Sequence, residues 1–201
     1  DFKETYEWTS LVLSHLRNTI EALGFREVIP VLCTERNEPG ARHSVTVLGD
    51  RAVQAIELIQ GGVVVSGWKS YFLPVSFVVE KQMSLEFMER VYCLAPCLRL
   101  LMEGEHQSAK HLYNFFQFEI EWRTESMEAV FQTGERLLHT VAERTLRELE
   151  PRNLDAGETA RRNIKALTKA DYPRIRFVEA LSMLGKDASK PIDLSADDDA
   201  R

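Results

Sequence analysis

The stretch Leu73–Trp122, LPVSFVVEKQMSLEFMERVYCLAPCLRLLMEGEHQSAKHLYNFFQFEIEW, decides the fold. Apolar, strand-like residues run from Arg90 to Leu101 and again from Leu112 to Trp122, and the segment between them is polar and rich in charge. Two such runs around a polar loop predict a long antiparallel hairpin. The first strand carries Arg99, and the second carries Tyr113, Phe115, Phe116 and Phe118 among residues that end in Glu119 and Glu121. That layout suits a nucleotide. A phosphate needs a fixed cation, and a guanidinium offers a fork of donors that does not deprotonate. An adenine ring needs a flat apolar face, which aromatic side chains provide.

Outward from the hairpin, Trp8, Leu11, Val12, Leu16, Ile20 and Leu23 recur at helical spacing and predict a helix over Tyr6–Leu23, closed by Gly24. Phe25–Leu32 reads as a short strand whose Pro30 cannot donate to a ladder and therefore suits an edge or an interface. Glu35–Ser44 reads as loop, Asp50–Gln60 as a short helix broken by Gly61 and Gly62, and Val63–Val65 as β. Tyr71–Val75 predicts a strand and Phe77–Met88 a helix. After the hairpin come a long helix over Met127–Leu149, a second helix or helical loop over Arg152–Lys169, and a short helix over Val178–Leu184 closed by Gly185. The tail from Lys186 is polar. This order lacks the strand–helix alternation of a parallel sheet and predicts an α+β fold, an antiparallel sheet flanked by helices. Residues 1–201 read as one globular domain.

Composition narrows the possibilities. A chain of 201 residues with 44% hydrophobic residues is long enough to bury a substantial core. Its formal net charge of −6 gives no global attraction to nucleic acid, and Arg161, Arg162 and Lys165 read as a solvated helix face. Cys33, Cys93 and Cys97 form no CxxC pair, Cys93 and Cys97 read as small core residues on one face of a strand, and no residue is assigned to a metal. No apolar run approaches the ~18 residues of a membrane span, and Asp1–Glu7 lacks the basic start of a signal peptide. The expected location is the cytoplasm.

Several of these residues also carry a family likeness. The segment Ala22-Leu23-Gly24-Phe25-Arg26-Glu27-Val28-Ile29-Pro30 resembles motif 1 of the class II aminoacyl-tRNA synthetases, a helix followed by a strand and a proline at a dimer interface. Cys97–Trp122 resembles their motif 2. Within the class the pattern is similar to the aspartate/asparagine branch, above all to the archaeal-type asparagine synthetases that are paralogues of asparaginyl-tRNA synthetase. The residues that carry this are Ser76 with Lys81-Gln82, then Arg99-Leu100, then His111, Phe115, Gln117, Glu119 and Glu121, and later Tyr172-Pro173-Arg174-Ile175 with Glu179-Ala180.

The resemblance implies a ligase that uses ATP to convert aspartate or a similar amino acid into an acyl-adenylate and passes the acyl group to ammonia or another amine. It implies that Arg99 holds the α-phosphate and stabilises the reacting phosphorus, that Phe115 stacks on adenine, and that His111 reaches the γ-phosphate. Lys81 would pair with the substrate's side-chain carboxylate, beside Ser76 and Gln82, and Gln117 or Glu119 would meet its ammonium. Pro30 would sit in a homodimer interface. The implied cofactors are ATP and Mg2+, the latter with ligands outside this chain. Leu101 stands where the family has a glutamate, so either Glu103 or Glu105 takes over its ATP contact or that contact is absent, and Asn114 stands where another glutamate precedes the stacking phenylalanine. Motif 3, with its second arginine, is absent from the 201 residues, which are therefore expected to be incomplete at the C-terminus. Two alternatives stay open: an Asp/Asn-type tRNA synthetase fragment or specialised biosynthetic paralogue, and a catalytically inactive dimeric binding module. Charge gives tRNA no support as a partner.

Overall fold

A computed structural model describes residues 2–34, 46–47, 55–60, 63–68, 71–99, 112–169 and 172–187, with backbone alone at 46–47, 55–60, 63–68 and 71. The elements in chain order are α1 (Phe2–Ala22), β1 (Arg26–Glu27), β2 (Thr46–Val47), β3 (Ala55–Gln60), β4 (Val63–Trp68), β5 (Tyr71–Phe72), α2 (Val78–Ser84), β6 (Arg90–Leu98), β7 (Asn114–Trp122), α3 (Met127–Glu148), α4 (Gly157–Leu167) and α5 (Phe177–Met183). The class is α+β. Contacts divide the chain into two compact units, one of residues 24–123 and one formed by residues 1–23 with 124–201.

The first unit is built on the hairpin. β6 pairs antiparallel with β7 from Arg90↔Trp122 to Leu98↔Asn114. Val91, Tyr92, Cys93, Ala95 and Cys97 are buried, which is why this strand reads as nearly continuous apolar sequence. β1 lies on the other side of β6 and runs parallel to it, so the three-stranded sheet is mixed, in the order β1-β6-β7. Only Arg26 and Glu27 form the strand expected over Phe25–Leu32. The Val28 N–H still donates to the Tyr92 carbonyl at 2.8 Å, and the segment toward Pro30 then leaves the ladder, as a residue without an N–H requires. Phe25 meets Trp122 edge to face at 5.5 Å between centroids, and Tyr92 packs on Phe118 at 5.3 Å.

The helix expected over Asp50–Gln60 is corrected within its described part. Ala55–Gln60 is a strand paired antiparallel with Val63–Trp68, in register from Ala55↔Trp68 to Gln60↔Val63. The strands Ala55–Gln60 and Val63–Trp68 are two residues apart in the sequence, the commonest hairpin spacing. The loop expected over Glu35–Ser44 lies outside the described residues.

The second unit is helical. Leu11, His15 and Thr19 of α1, spaced four apart, form its buried stripe with Ile20. Leu11, Leu149 and Leu154 form a cluster with Trp8, Leu146 and Ala156 around it. α3 begins where Ser126 Oγ accepts the Ala129 N–H at 3.2 Å, a side-chain N-cap. The second helix starts later than expected, at Gly157, because Asn153 and Gly157 both have positive φ, 54° and 66°. Asp155 Oδ1 accepts the Gly157 N–H at 2.8 Å. The Arg174 guanidinium lies 4.7 Å from the Phe131 ring centroid and pairs with Glu135 and Glu128, which fastens the Pro173 segment to α3. An apolar groove of about 610 Å³ opens among Trp8, Val12, Leu16, Leu138 and Ile164.

Candidate functional site

The β6–β7 register sorts the side chains of the hairpin. Opposite residues of an antiparallel pair project to the same side. Phe115, Gln117, Glu119 and Glu121 therefore share one face with Cys97, Ala95, Cys93 and Val91. Phe116 and Phe118 belong to the opposite face, so the four aromatics read together from the sequence do not form one surface. Phe116 is exposed, and Phe118 packs on Tyr92.

Arg99 follows β6 directly. Its N–H donates to the Tyr113 carbonyl at 2.8 Å, which carries the pairing one step past the strand. Its guanidinium donates through Nε and Nη2 to the Val75 carbonyl, each at 3.2 Å, and through Nη2 to Gln117 Oε1 at 3.5 Å. Its Cζ lies 5.1 Å from the Phe115 ring centroid. Among the described residues nothing bonds Nη1, and the side chain is exposed, so a fixed cation faces solvent beside an aromatic ring.

The Val75 carbonyl had no sequence signal. It belongs to the strap Leu73–Phe77, whose Pro74 carbonyl accepts the Leu98 N–H at 2.9 Å. The strap leads into α2 and brings Lys81 onto the polar face of β7. Lys81 is buried. Its Nζ lies 2.9 Å from Glu119 Oε2 and 3.5 Å from Glu121 Oε2. The Phe77 N–H donates to both oxygens of Glu119, at 3.1 and 3.2 Å. Glu119 is thus almost enclosed, with its side chain 9% exposed, whereas that of Glu121 is 25% exposed. Two acids on a strand more often face water, and here an ammonium buried between them is what makes the arrangement stable.

Cys97 Sγ contacts Gln117 Oε1 at 3.1 Å. Burial, reinforced by the Glu119 carboxylate, pushes the Cys93 thiol up to about 12, so it is no nucleophile near neutral pH. Both thiols are core residues, as the sequence suggests, while Cys33 is exposed. Ser76 is half-buried in the strap, and Gln82 is exposed, one position round α2 from Lys81. Glu103, Glu105 and His111 lie outside the described residues. Pro30 is half-buried, between the exposed Ile29 and Leu32. Among the described residues no group of three His, Cys, Asp or Glu side chains converges as a metal site, and no helix is long and apolar enough to cross a membrane.

Comparison with known proteins bears on the family and the fold. A family model described as tRNA synthetases class II (D, K and N) matches residues 1–199. Two crystal structures of asparaginyl-tRNA synthetase from Pyrococcus horikoshii share the fold. The one complexed with asparaginyl-adenylate matches at TM-score 0.65 and 20% identity, over 96% of this chain and 39% of its own. The other matches at TM-score 0.65 and 20% identity, over 98% of this chain and 39% of its own. The chain thus spans about two fifths of the length of these structures. No curated protein matches it in sequence.

Proposed function

The chain belongs to the class II tRNA synthetases of the D, K and N group, and from that premise we propose that it binds ATP and activates the carboxylate of aspartate or a similar amino acid as an acyl-adenylate. The observation that carries this reading is the Arg99 guanidinium held 5.1 Å from the Phe115 ring on one side of the hairpin, with Nη1 unbonded among the described residues. A nucleotide takes the ring for its adenine, and the held guanidinium meets the α-phosphate through Nη1. One substrate carboxylate oxygen attacks the α-phosphorus, the new P–O bond forms, the bond to the β-phosphate's bridging oxygen breaks, and pyrophosphate leaves. An amine then attacks the acyl carbon and AMP departs.

Arg99 lowers this barrier by stabilising charge that grows on the phosphorus oxygens, a contribution that needs preorganised donors and no proton transfer. Val75 supplies the preorganisation by engaging Nε and Nη2, which holds the guanidinium in place and leaves Nη1 for the phosphate. Glu103 and His111 are proposed as further ATP contacts, and Ser76, Lys81, Gln82, Gln117 and Glu119 as contacts to the amino acid. Magnesium would neutralise the leaving pyrophosphate. Its ligands are proposed to lie outside this chain, and no step here is assigned through it.

Ammonia is proposed as the acceptor, which would make the protein an asparagine synthetase-like ligase of the cytoplasm. The second reading, transfer to tRNA, is favoured by the match to asparaginyl-tRNA synthetase structures. A homodimer meeting at Pro30 is supported by the apolar side chains that flank it, Ile29 at 91% and Leu32 at 73% exposure. Amino-acid-dependent ATP–pyrophosphate exchange tests adenylation. Turnover with ammonium against turnover with tRNA then decides the acceptor, and the ammonia reading is lost if only tRNA supports AMP release.

A further inference from the structure

We propose that Glu121 competes with the substrate's side-chain carboxylate for the ammonium of Lys81, and so sets the affinity for an acidic amino acid. The inference rests on the adenylation reading and concerns the same site. One ammonium stands between two carboxylates, at 2.9 Å from Glu119 and 3.5 Å from Glu121, so the cluster carries more negative than positive charge before any substrate arrives. An incoming carboxylate meets that excess, and its entry requires one of the two glutamates to yield.

The glutamates are not equivalent. Glu119 is anchored by the Phe77 N–H on both oxygens as well as by Lys81, and it is almost enclosed. Releasing it would leave a buried carboxylate and a backbone donor without partners, which is costly. Glu121 has Lys81 as its single partner among the described residues, at the longer distance, and its side chain already reaches solvent. Swinging Glu121 outward returns its charge to water and opens one side of the ammonium. Along β7 each residue advances about 3.3 Å. Glu119 and Glu121 therefore stand roughly 13–20 Å from Phe115 along the strand, beyond Gln117, whose Oε1 the Arg99 guanidinium contacts at 3.5 Å.

The test compares the unaltered protein with Glu121→Gln in ATP–pyrophosphate exchange, using L-aspartate and L-asparagine as probes. Removing the competing charge is expected to lower the KM for L-aspartate about fivefold, the worth of one partly exposed ion pair, while the KM for ATP stays within twofold. The same change in a Lys81→Leu background should no longer improve aspartate use. Thermal unfolding of each variant shows whether it is folded. An unchanged or raised KM for aspartate in folded Glu121→Gln overturns the proposal and leaves adenylation standing. So does exchange supported by asparagine alone in both proteins. Absence of exchange with every amino acid in the unaltered protein removes the adenylation reading, and this inference with it.

Discussion

Arg99 holds its position through the backbone of another segment. Two of its N–H groups share the Val75 carbonyl, so the strap fixes the guanidinium before any ligand arrives. Arg99→Ala is expected to lower amino-acid-dependent exchange by on the order of a hundredfold. Because the side chain is exposed, that variant should lose no more than about 1 kcal/mol of stability, the net worth of an ordinary hydrogen bond, as measured by urea unfolding. The cysteines offer a chemical check of the same face. Native protein treated with iodoacetamide at pH 8 should be alkylated at Cys33 and spared at Cys93 and Cys97, with all three modified once unfolded. Labelling of Cys93 at the rate of Cys33 would contradict its burial beside Glu119. At this scale the sequence put Arg99 and a run of aromatics on paired strands, and the family resemblance selected Phe115 among them. It could not show the Val75 carbonyl, since every residue has one and only the path of the strap brings this one near. Nor could it show that Glu119 and Glu121 enclose Lys81, because the pairing joins residues about forty positions apart.

Long elements with a clear period were legible, and short ones were not. α1 and α3 follow the 3.6-residue spacing of their buried stripes. Ala55–Gln60 misled because a six-residue apolar run fits either state, and its pairing with Val63–Trp68 decided between them. β1 is shorter than the apolar run suggests because the chain leaves the sheet at Pro30. Two predictions belong to the helices. Ser126→Ala removes the cap of α3 and should cost about 1 kcal/mol, seen as a lower unfolding midpoint; an unchanged midpoint would show that the cap adds nothing. His15 is buried on α1, with Nε2 3.6 Å from Glu148 Oε1 of α3. Burial lowers its pKa, Glu148 partly opposes this, and Arg144 and Arg152 add to the lowering. The unfolded chain therefore takes up this proton first, near pH 6.5. Stability contributed by neutral His15 is complete above that pH, declines as pH falls toward the lower folded value, and then levels off. His15→Gln should flatten the fall in unfolding midpoint between pH 7 and 5. An equally steep fall would assign the acid sensitivity to other groups.

At the scale of the molecule, the α+β class and the central hairpin were readable because they depend on element order and one long pair of strands. The division into two units was not, since residues 1–23 join residues 124–201 across the whole intervening sequence. The exposed Ile29 and Leu32 bear on assembly. Replacing both with aspartate should convert a dimer into a folded monomer in sedimentation velocity, and a sedimentation coefficient that does not change would remove Pro30 from any interface. The central claim is that one guanidinium and one aromatic ring on this hairpin serve the adenylation of an amino acid. ATP–pyrophosphate exchange, measured across a panel of amino acids with the unaltered protein and with Arg99→Ala, tests it most directly. Exchange is expected to require one amino acid of the aspartate/asparagine group and to be lost in the variant. Exchange that survives the loss of Arg99, or that no amino acid stimulates, would contradict it.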